Sequence, residues 1–190
     1  MKIWLIRHGE TKGNSEKKYI GRTDEALNEK GIEQAKAFFP PKINKLIISP
    51  MLRCRQTAKI IFPDVDNTVC NELRECDFGL FEGKNADELK KVEAYRAWVD
   101  DGCIGDIPCG ENVEAFKKRC YDAFQSALID AEADETFAFV IHGGCIMAIL
   151  ERYEGKRGYY DYHIGNCEYS LCLSKKANPI SLSIVGGILC

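Results

Sequence analysis

Two stretches of this chain follow one plan: an apolar run of β-formers, then histidine, then glycine. The first is Ile3-Trp4-Leu5-Ile6-Arg7-His8-Gly9 and the second is Phe137-Ala138-Phe139-Val140-Ile141-His142-Gly143-Gly144. A short continuous apolar run reads as a strand buried on both faces, the kind found in parallel sheets covered by helices. In such open sheets ligands bind beyond the carboxyl ends of the strands. Two of the chain's three histidines are therefore expected at one functional edge. Glycine after each histidine allows a tight turn and a close backbone approach to a ligand.

The rest of the pattern agrees with an α/β chain. Strands are expected at Lys2 to Ile6, Lys45 to Ile48 and Thr136 to Ile141, with closing strands at Tyr169 to Leu173 and Ile180 to Val185. Helices are expected from Asn28 to Phe39, from Ser49-Pro50 to Phe62, from Asn85 to Val99, from Glu111 to Glu132 and from Cys145 to Arg152. Ser49 reads as an N-cap with proline at the first helical position. Pro40-Pro41 ends the first of these helices. Residues 100–110 hold three glycines and a proline and read as a loop. Alternation of strand and helix predicts a three-layer, mainly parallel sheet with helices on both faces. Residues 1–190 fit one domain, with about 76–118 as a helical and loop cap over the carboxyl edge.

Charge and cysteine content narrow the partners. A formal net charge of -3 disfavours a broad nucleic-acid footprint, so an anionic ligand needs a local basic pocket. The apolar start is far shorter than the roughly 7–15 residues of a signal peptide, and nothing approaches a membrane span. Ten cysteines without a C-x-x-C pair suit mostly reduced, structural thiols in the cytoplasm, and give a zinc site no anchor. Cys109 and Cys145 lie nearest the chemistry. A monomer or homodimer is expected.

Residue types then suggest a reaction. Arg7 beside His8, and Arg53 in the first turns after Ser49-Pro50, make a bidentate phosphate clamp. The helix after His142-Gly143-Gly144 offers free N–H groups to an anion. A neutral imidazole among these cations has a lowered pKa and can attack phosphorus. Expelling an alkoxide needs a carboxylic acid. Spacing alone leaves Glu72, Glu75, Asp77 and Glu82 open for that role.

Five ordered blocks carry a resemblance. They are Arg7-His8-Gly9-Glu10-Thr11 with Asn14; Gly21-Arg22-Thr23-Asp24 with Leu27-Asn28-Glu29-Lys30-Gly31; Ser49-Pro50 with Arg53 and Gln56-Thr57-Ala58; Leu73-Arg74-Glu75 with Phe78-Gly79 and Glu82-Gly83; and Gly110-Glu111 with His142-Gly143-Gly144. The chain resembles the histidine phosphatase (phosphoglycerate mutase-like) superfamily, within it the small phosphatases, including the α-ribazole phosphatase type. The resemblance implies a phosphohistidine at His8 and a phosphate pocket of Arg7, Arg53 and His142. It implies further lining from Asn14, Thr11, Gly21 and Gly143, and Glu75 as acid and base. No metal and no cofactor are implied. The substrate is then a small phosphorylated metabolite, with α-ribazole 5'-phosphate as a candidate. The family's usual Pro-Gly-Gly-Glu-Ser stands here as Pro108-Cys109-Gly110-Glu111-Asn112. His163, beyond these blocks, reads as structural.

Three rival readings remain. Cofactor-dependent mutase chemistry shares the phosphohistidine but passes the phosphoryl group to a second hydroxyl. The acidic loop with Asp100, Asp101 and Asp106 favours water as acceptor. A non-catalytic phosphate-binding module would not need both histidines, both arginines and Glu75. Asp64-Val65-Asp66-Asn67-Thr68 matches the D-x-D-x-T string of magnesium-dependent aspartyl phosphatases, but Pro63 interrupts the strand that string needs.

Overall fold

The computed structural model describes residues 1–175 and 180–187. Cys190 lies outside them. Six strands, β1 (Lys2–Arg7), β2 (Lys45–Ile48), β3 (Asn67–Val69), β4 (Thr136–Ile141), β5 (Tyr169–Lys175) and β6 (Ser181–Gly187), form one sheet in the order β3-β2-β4-β1-β5-β6. The β3-β2, β2-β4 and β4-β1 pairings are parallel, while β5 and β6 close one side antiparallel.

The apolar runs form strands because both sheet faces are covered. On β4, Phe137, Phe139 and Ile141 belong to one core, together with Ile3 and Leu5. Ala138 and Val140 belong to the other, with Ile6, Leu46 and Ile48. The first core packs under α6 (Val113–Ala127) and α7 (Gly143–Tyr153), through Phe116, Phe124, Ile146 and Leu150. The second packs under α2 (Glu29–Ala37) and α3 (Leu52–Ile61), through Ala35, Cys54, Ala58 and Ile61. Period-2 alternation thus sends each residue of the central strand from Phe137 to Ile141 into an interior.

Several boundaries differ from the sequence expectations, each for a local reason. Ser49 is not an N-cap: α3 begins at Leu52 after Met51, with no side-chain cap. The hydroxyl is committed elsewhere, as described below. The expected helix from Asn85 to Val99 is two helices, α4 (Ala86–Leu89) and α5 (Glu93–Asp100). In one straight helix Leu89 and Trp98 would point about 180° apart. The break lets Leu89, Tyr95 and Trp98 all reach the same core. The long helix is α6, shorter at both ends, capped by Asn112, whose Oδ1 accepts from the Ala115 N–H at 2.9 Å. A one-turn helix, α1 (Lys12–Ser15), and strand β3 were not expected. No helix of the described residues is long and apolar enough to cross a membrane.

Candidate active site

The topology brings three distant segments to one edge. β2, β4 and β1 are neighbours and parallel, so Arg53 beyond β2, His142 beyond β4 and His8 beyond β1 converge at their carboxyl ends. The His8 and His142 rings meet edge to face, with centroids 5.2 Å apart and planes at 67°.

His8 is buried, and its Nδ1 lies 2.8 Å from the carbonyl of Gly9. A carbonyl only accepts, so Nδ1 carries the proton and Nε2 keeps its lone pair. Burial, then the charges of Arg53 and Arg7, hold the imidazole well below the ordinary histidine range. Its main chain is fixed too: the His8 N–H donates to Ile141 O at 3.0 Å, and Asn166 Nδ2 donates to His8 O at 3.1 Å.

His142 is fully buried with both ring nitrogens engaged. Arg53 Nε donates to its Nδ1 at 3.2 Å, so Nε2 bears the proton and donates to Ser49 Oγ at 2.7 Å. Its pKa is lowered by burial first, then by Arg53. Arg53 is 1% exposed and also donates through Nη1 to Thr23 O and through Nη2 to Gly21 O, both at 2.8 Å. Gly21, expected to line the pocket, instead supplies the carbonyl that grips Arg53. Its Cα packs so near Cys76 O that a Cβ would stand 1.8 Å away.

Arg7 reaches the cavity from the end of β1. Its Nη1 donates to Ile164 O at 2.7 Å and meets His163 Nε2 at 3.3 Å, while its buried Nε has no hydrogen-bond partner. Burial lowers its pKa, opposed by the carboxylates of Glu75 and Glu168. Asn14 sits on the cavity wall, its Oδ1 accepting from Asn166 Nδ2 at 3.0 Å and the Thr11 N–H at 3.2 Å. Thr11 does not line the cavity: it is fully buried, and its hydroxyl caps α1. Gly143 lies on the wall at the start of α7.

Of the four carboxylates the sequence left open, Glu75 alone lines this cavity among the described residues. Its Oε2 accepts from the Gly144 N–H at 3.1 Å and its Oε1 from the Cys76 N–H at 3.0 Å. Glu82 is spent on the Gly21 and Thr23 N–H groups, both at 2.9 Å. Asp77 accepts from the Gly79 N–H at 2.9 Å and pairs with Arg22 at 3.3 Å. Glu72 is exposed. Behind Glu75, Arg119 holds Glu111 through two nitrogens at 2.7 and 2.8 Å. It also donates to the carbonyls of Arg74 and Glu75 at 2.8 and 3.1 Å.

The cavity has a volume of about 290 Å³. Arg7, His8 and His163 line it, whereas Arg53 and His142 lie behind the wall; six aromatic residues, Tyr19, Phe78, Trp98, Phe116, Tyr159 and Tyr160, and the aliphatic Ile20, Ile107, Val113 and Met147 make up much of the rest. The tyrosine hydroxyls are already paired. Tyr19 bonds Tyr95 at 2.9 Å, Tyr159 donates to Gly144 O at 3.3 Å, and Tyr160 donates to Cys103 O at 3.0 Å. The wall's other cation, Lys18, is paired with Glu16 at 2.6 Å.

Sequence reasoning missed four contributors. His163, read as structural, lines the cavity beside Arg7. Ser49 fixes His142, Asn166 ties Asn14 to His8, and Thr57 Oγ1 accepts from the Gly9 N–H at 2.9 Å. Rarity of histidine was the one available signal for His163. Asp64 and Asp66 precede β3, parallel to β2, and so lie at the opposite sheet edge from the histidines. Among the described residues no group of three or more His, Cys, Asp or Glu side chains is placed to hold a metal ion.

Known proteins share the chain's family and fold. A model described as the histidine phosphatase superfamily (branch 1) matches residues 3–183. An adenosylcobalamin/alpha-ribazole phosphatase of Salmonella typhimurium is 33% identical over 161 residues, 80% of this chain and 79% of that protein. The phosphoglycerate mutase-like protein 4 of Arabidopsis thaliana is 33% identical over 161 residues, 79% of this chain and 70% of that protein. In fold, the chain is similar to the alpha-ribazole phosphatase of Shigella flexneri, with a TM-score of 0.83 at 24% identity over 97% of this chain and 96% of that one.

Proposed function

The chain belongs to the histidine phosphatase superfamily, branch 1, and is a phosphoric monoester hydrolase; from that premise we propose that it works through a phosphohistidine on His8. The observation that carries the reading is the His8 ring itself. Its Nδ1–H is anchored on Gly9 O, so the free Nε2 lone pair is the nucleophile. As Nε2 bonds to phosphorus, the ring gains positive charge, which the carbonyl of Gly9 stabilises.

Arg7, the Asn14 amide and the Gly143 N–H at the start of α7 hold the phosphoryl oxygens, and Arg53, buried behind them with its nitrogens paired, adds the charge that keeps His8 neutral. His142 acts through Arg53, which it orients, and through its edge contact with His8. Glu75 gives a proton to the leaving oxygen in the first step. In the second it takes one from the water that attacks phosphorus, which breaks the P–N bond and frees His8. The segment of about 76–118 supplies Cys76, Phe78, Trp98, Cys103, Ile107 and Phe116 to the cavity and serves as its cap. A thiol-rich composition suits a cytoplasmic setting.

For the substrate we infer a small phosphomonoester with a flat, uncharged organic part, of which α-ribazole 5'-phosphate is the leading candidate. Aromatic and aliphatic walls with the tyrosine hydroxyls already paired support this, as does the lack of an unpaired cation beyond Arg7 for a second anionic group on this wall. Purified protein tests it: kcat/KM for α-ribazole 5'-phosphate should exceed that for 3-phosphoglycerate by at least about a hundredfold, the scale of losing well-matched pocket contacts. Preference for 3-phosphoglycerate, with phosphoryl transfer to a second hydroxyl, would favour the mutase reading that the Arabidopsis relative's name raises.

A further inference from the structure

The third histidine has a place in this site. His163 ends the short 3₁₀ turn Tyr159–Tyr162, and its N–H donates to Tyr160 O at 3.2 Å. Its ring lies on the cavity wall, with Nε2 3.3 Å from Arg7 Nη1. The next residue, Ile164, takes the same Nη1 through its carbonyl at 2.7 Å. Two consecutive residues therefore hold one nitrogen of Arg7. Among the described residues Arg7 has no carboxylate within ion-pair distance.

This choice of partners matters chemically. A carboxylate would hold the guanidinium equally well but would cancel its charge. A carbonyl and a neutral imidazole fix its direction and leave the charge for an anion. To accept from Arg7, Nε2 must be unprotonated, so the proton of neutral His163 sits on Nδ1. Once the ring takes a second proton, acceptor becomes donor and the contact becomes repulsive. Around the ring stand Arg7 from β1, Glu168 from the loop before β5, Tyr159 and Tyr160 from its own turn, and Lys18 and Glu75 across the cavity. Burial, then Arg7, keeps its pKa below the ordinary value, with Glu168 opposing.

We propose that His163 is a positioning residue for phosphate binding: as a neutral acceptor it aims Arg7 into the cavity, and its protonation releases Arg7 on the acid side. The inference rests on the reading of this cavity as the phosphate site. Its consequence is an affinity for phosphate that weakens with acid faster than the titration of phosphate itself explains.

The test is calorimetric binding of inorganic phosphate to the native protein, His163→Ala and His163→Gln between pH 7.5 and 5. Glutamine places an acceptor oxygen near the Nε2 position and does not titrate there. At pH 7.5 alanine should weaken binding roughly tenfold and glutamine no more than about twofold, as expected for loss or retention of a hydrogen bond to a charged group. Towards pH 5 the native protein should lose affinity that His163→Gln retains. Nitrogen NMR of native His163 should show the Nδ1–H tautomer. Equal affinity of His163→Ala and native protein at pH 7.5, equal pH profiles for native and His163→Gln, or an Nε2–H tautomer would overturn the proposal while leaving the phosphatase reading intact. No phosphate binding by the native protein would defeat that reading, and this inference with it.

Discussion

Replacing Gly144 by alanine isolates the role assigned to Glu75. A Cβ built there meets Glu75 Oε1 at 2.3 Å, Glu75 Cδ at 3.1 Å and Phe116 Cζ at 3.1 Å. The first contact is roughly 1 Å inside normal van der Waals separation. The carboxylate is the tip of a flexible side chain, so it moves and the backbone stays. The bond from the Gly144 N–H to Oε2, now 3.1 Å, is then lost or misdirected. Alanine in place of helical glycine contributes about 0.5–1 kcal/mol to stability, which offsets the tight contact with Phe116. The variant should therefore fold, with a melting temperature within a few degrees of native, roughly the shift that 1 kcal/mol produces at this size. A displacement of this size costs about a hundredfold when it removes a positioned acid. The assay is kcat on an alkyl phosphate and on p-nitrophenyl phosphate. The alkyl ester should lose about two orders of magnitude, and the nitrophenyl ester, whose leaving group needs little protonation, several-fold at most. Equal losses on both esters, or no loss on either, would refute the reasoning.

Other perturbations have equally definite outcomes. His8 and His142 are neutral in the fold, with pKa values lowered by burial and by Arg53. The unfolded chain takes up their protons as pH falls through about 6.5 and the native state does not, so stability is full above that pH and declines below it, approaching ~1.4 kcal/mol per unit for each ring. Urea midpoints from pH 7.5 to 5.5 should show this decline, and His8→Asn should lower its slope by up to ~1.4 kcal/mol per unit; a flat profile would contradict the burial argument. Ser49→Ala leaves the buried His142 Nε2–H only the weak acceptor Cys54 Sγ at 3.6 Å and should cost about 1–3 kcal/mol in urea denaturation, together with a fall in kcat; native-like values for both would remove Ser49 from the account. Arg119→Lys cannot keep the two-nitrogen grip on Glu111 and the carbonyls of Arg74 and Glu75. It should slow alkyl esters more than p-nitrophenyl phosphate, and a loss independent of leaving group would show that it acts elsewhere.

What the sequence could reveal followed the range of each interaction. Strand-histidine-glycine is a local pattern, and a parallel sheet turns it into a shared edge without further information. The residues that hold that edge are set by tertiary contact. Ser49 looked like a helix cap because its neighbours read so, yet its partner lies 93 positions away. Gly21, expected to line the pocket, lies off its wall and gives its carbonyl to Arg53, which no spacing rule signals. Leu89 and Trp98 fit one helical stripe only if the helix breaks, and the break lies where no glycine or proline marks it. Among the four carboxylates that spacing leaves open, only the fold distinguishes Glu75, which lines the cavity, from Glu72, Asp77 and Glu82, which do not. His163 reads as structural in the sequence because a lone histidine outside a motif usually is. Its contact with Arg7 spans 156 positions.

The central claim is that the phosphoryl group passes through His8 Nε2, and trapping it there is the most direct test. The protein is mixed with a phosphomonoester, quenched in base within milliseconds, digested and examined by mass spectrometry. The account predicts a base-stable phosphoryl group on the peptide carrying His8, formed at least as fast as turnover, and absent from His8→Ala, which should also lack activity. A phosphoryl group on an aspartate, a cysteine or another histidine, or turnover by His8→Ala at the native rate, would contradict it.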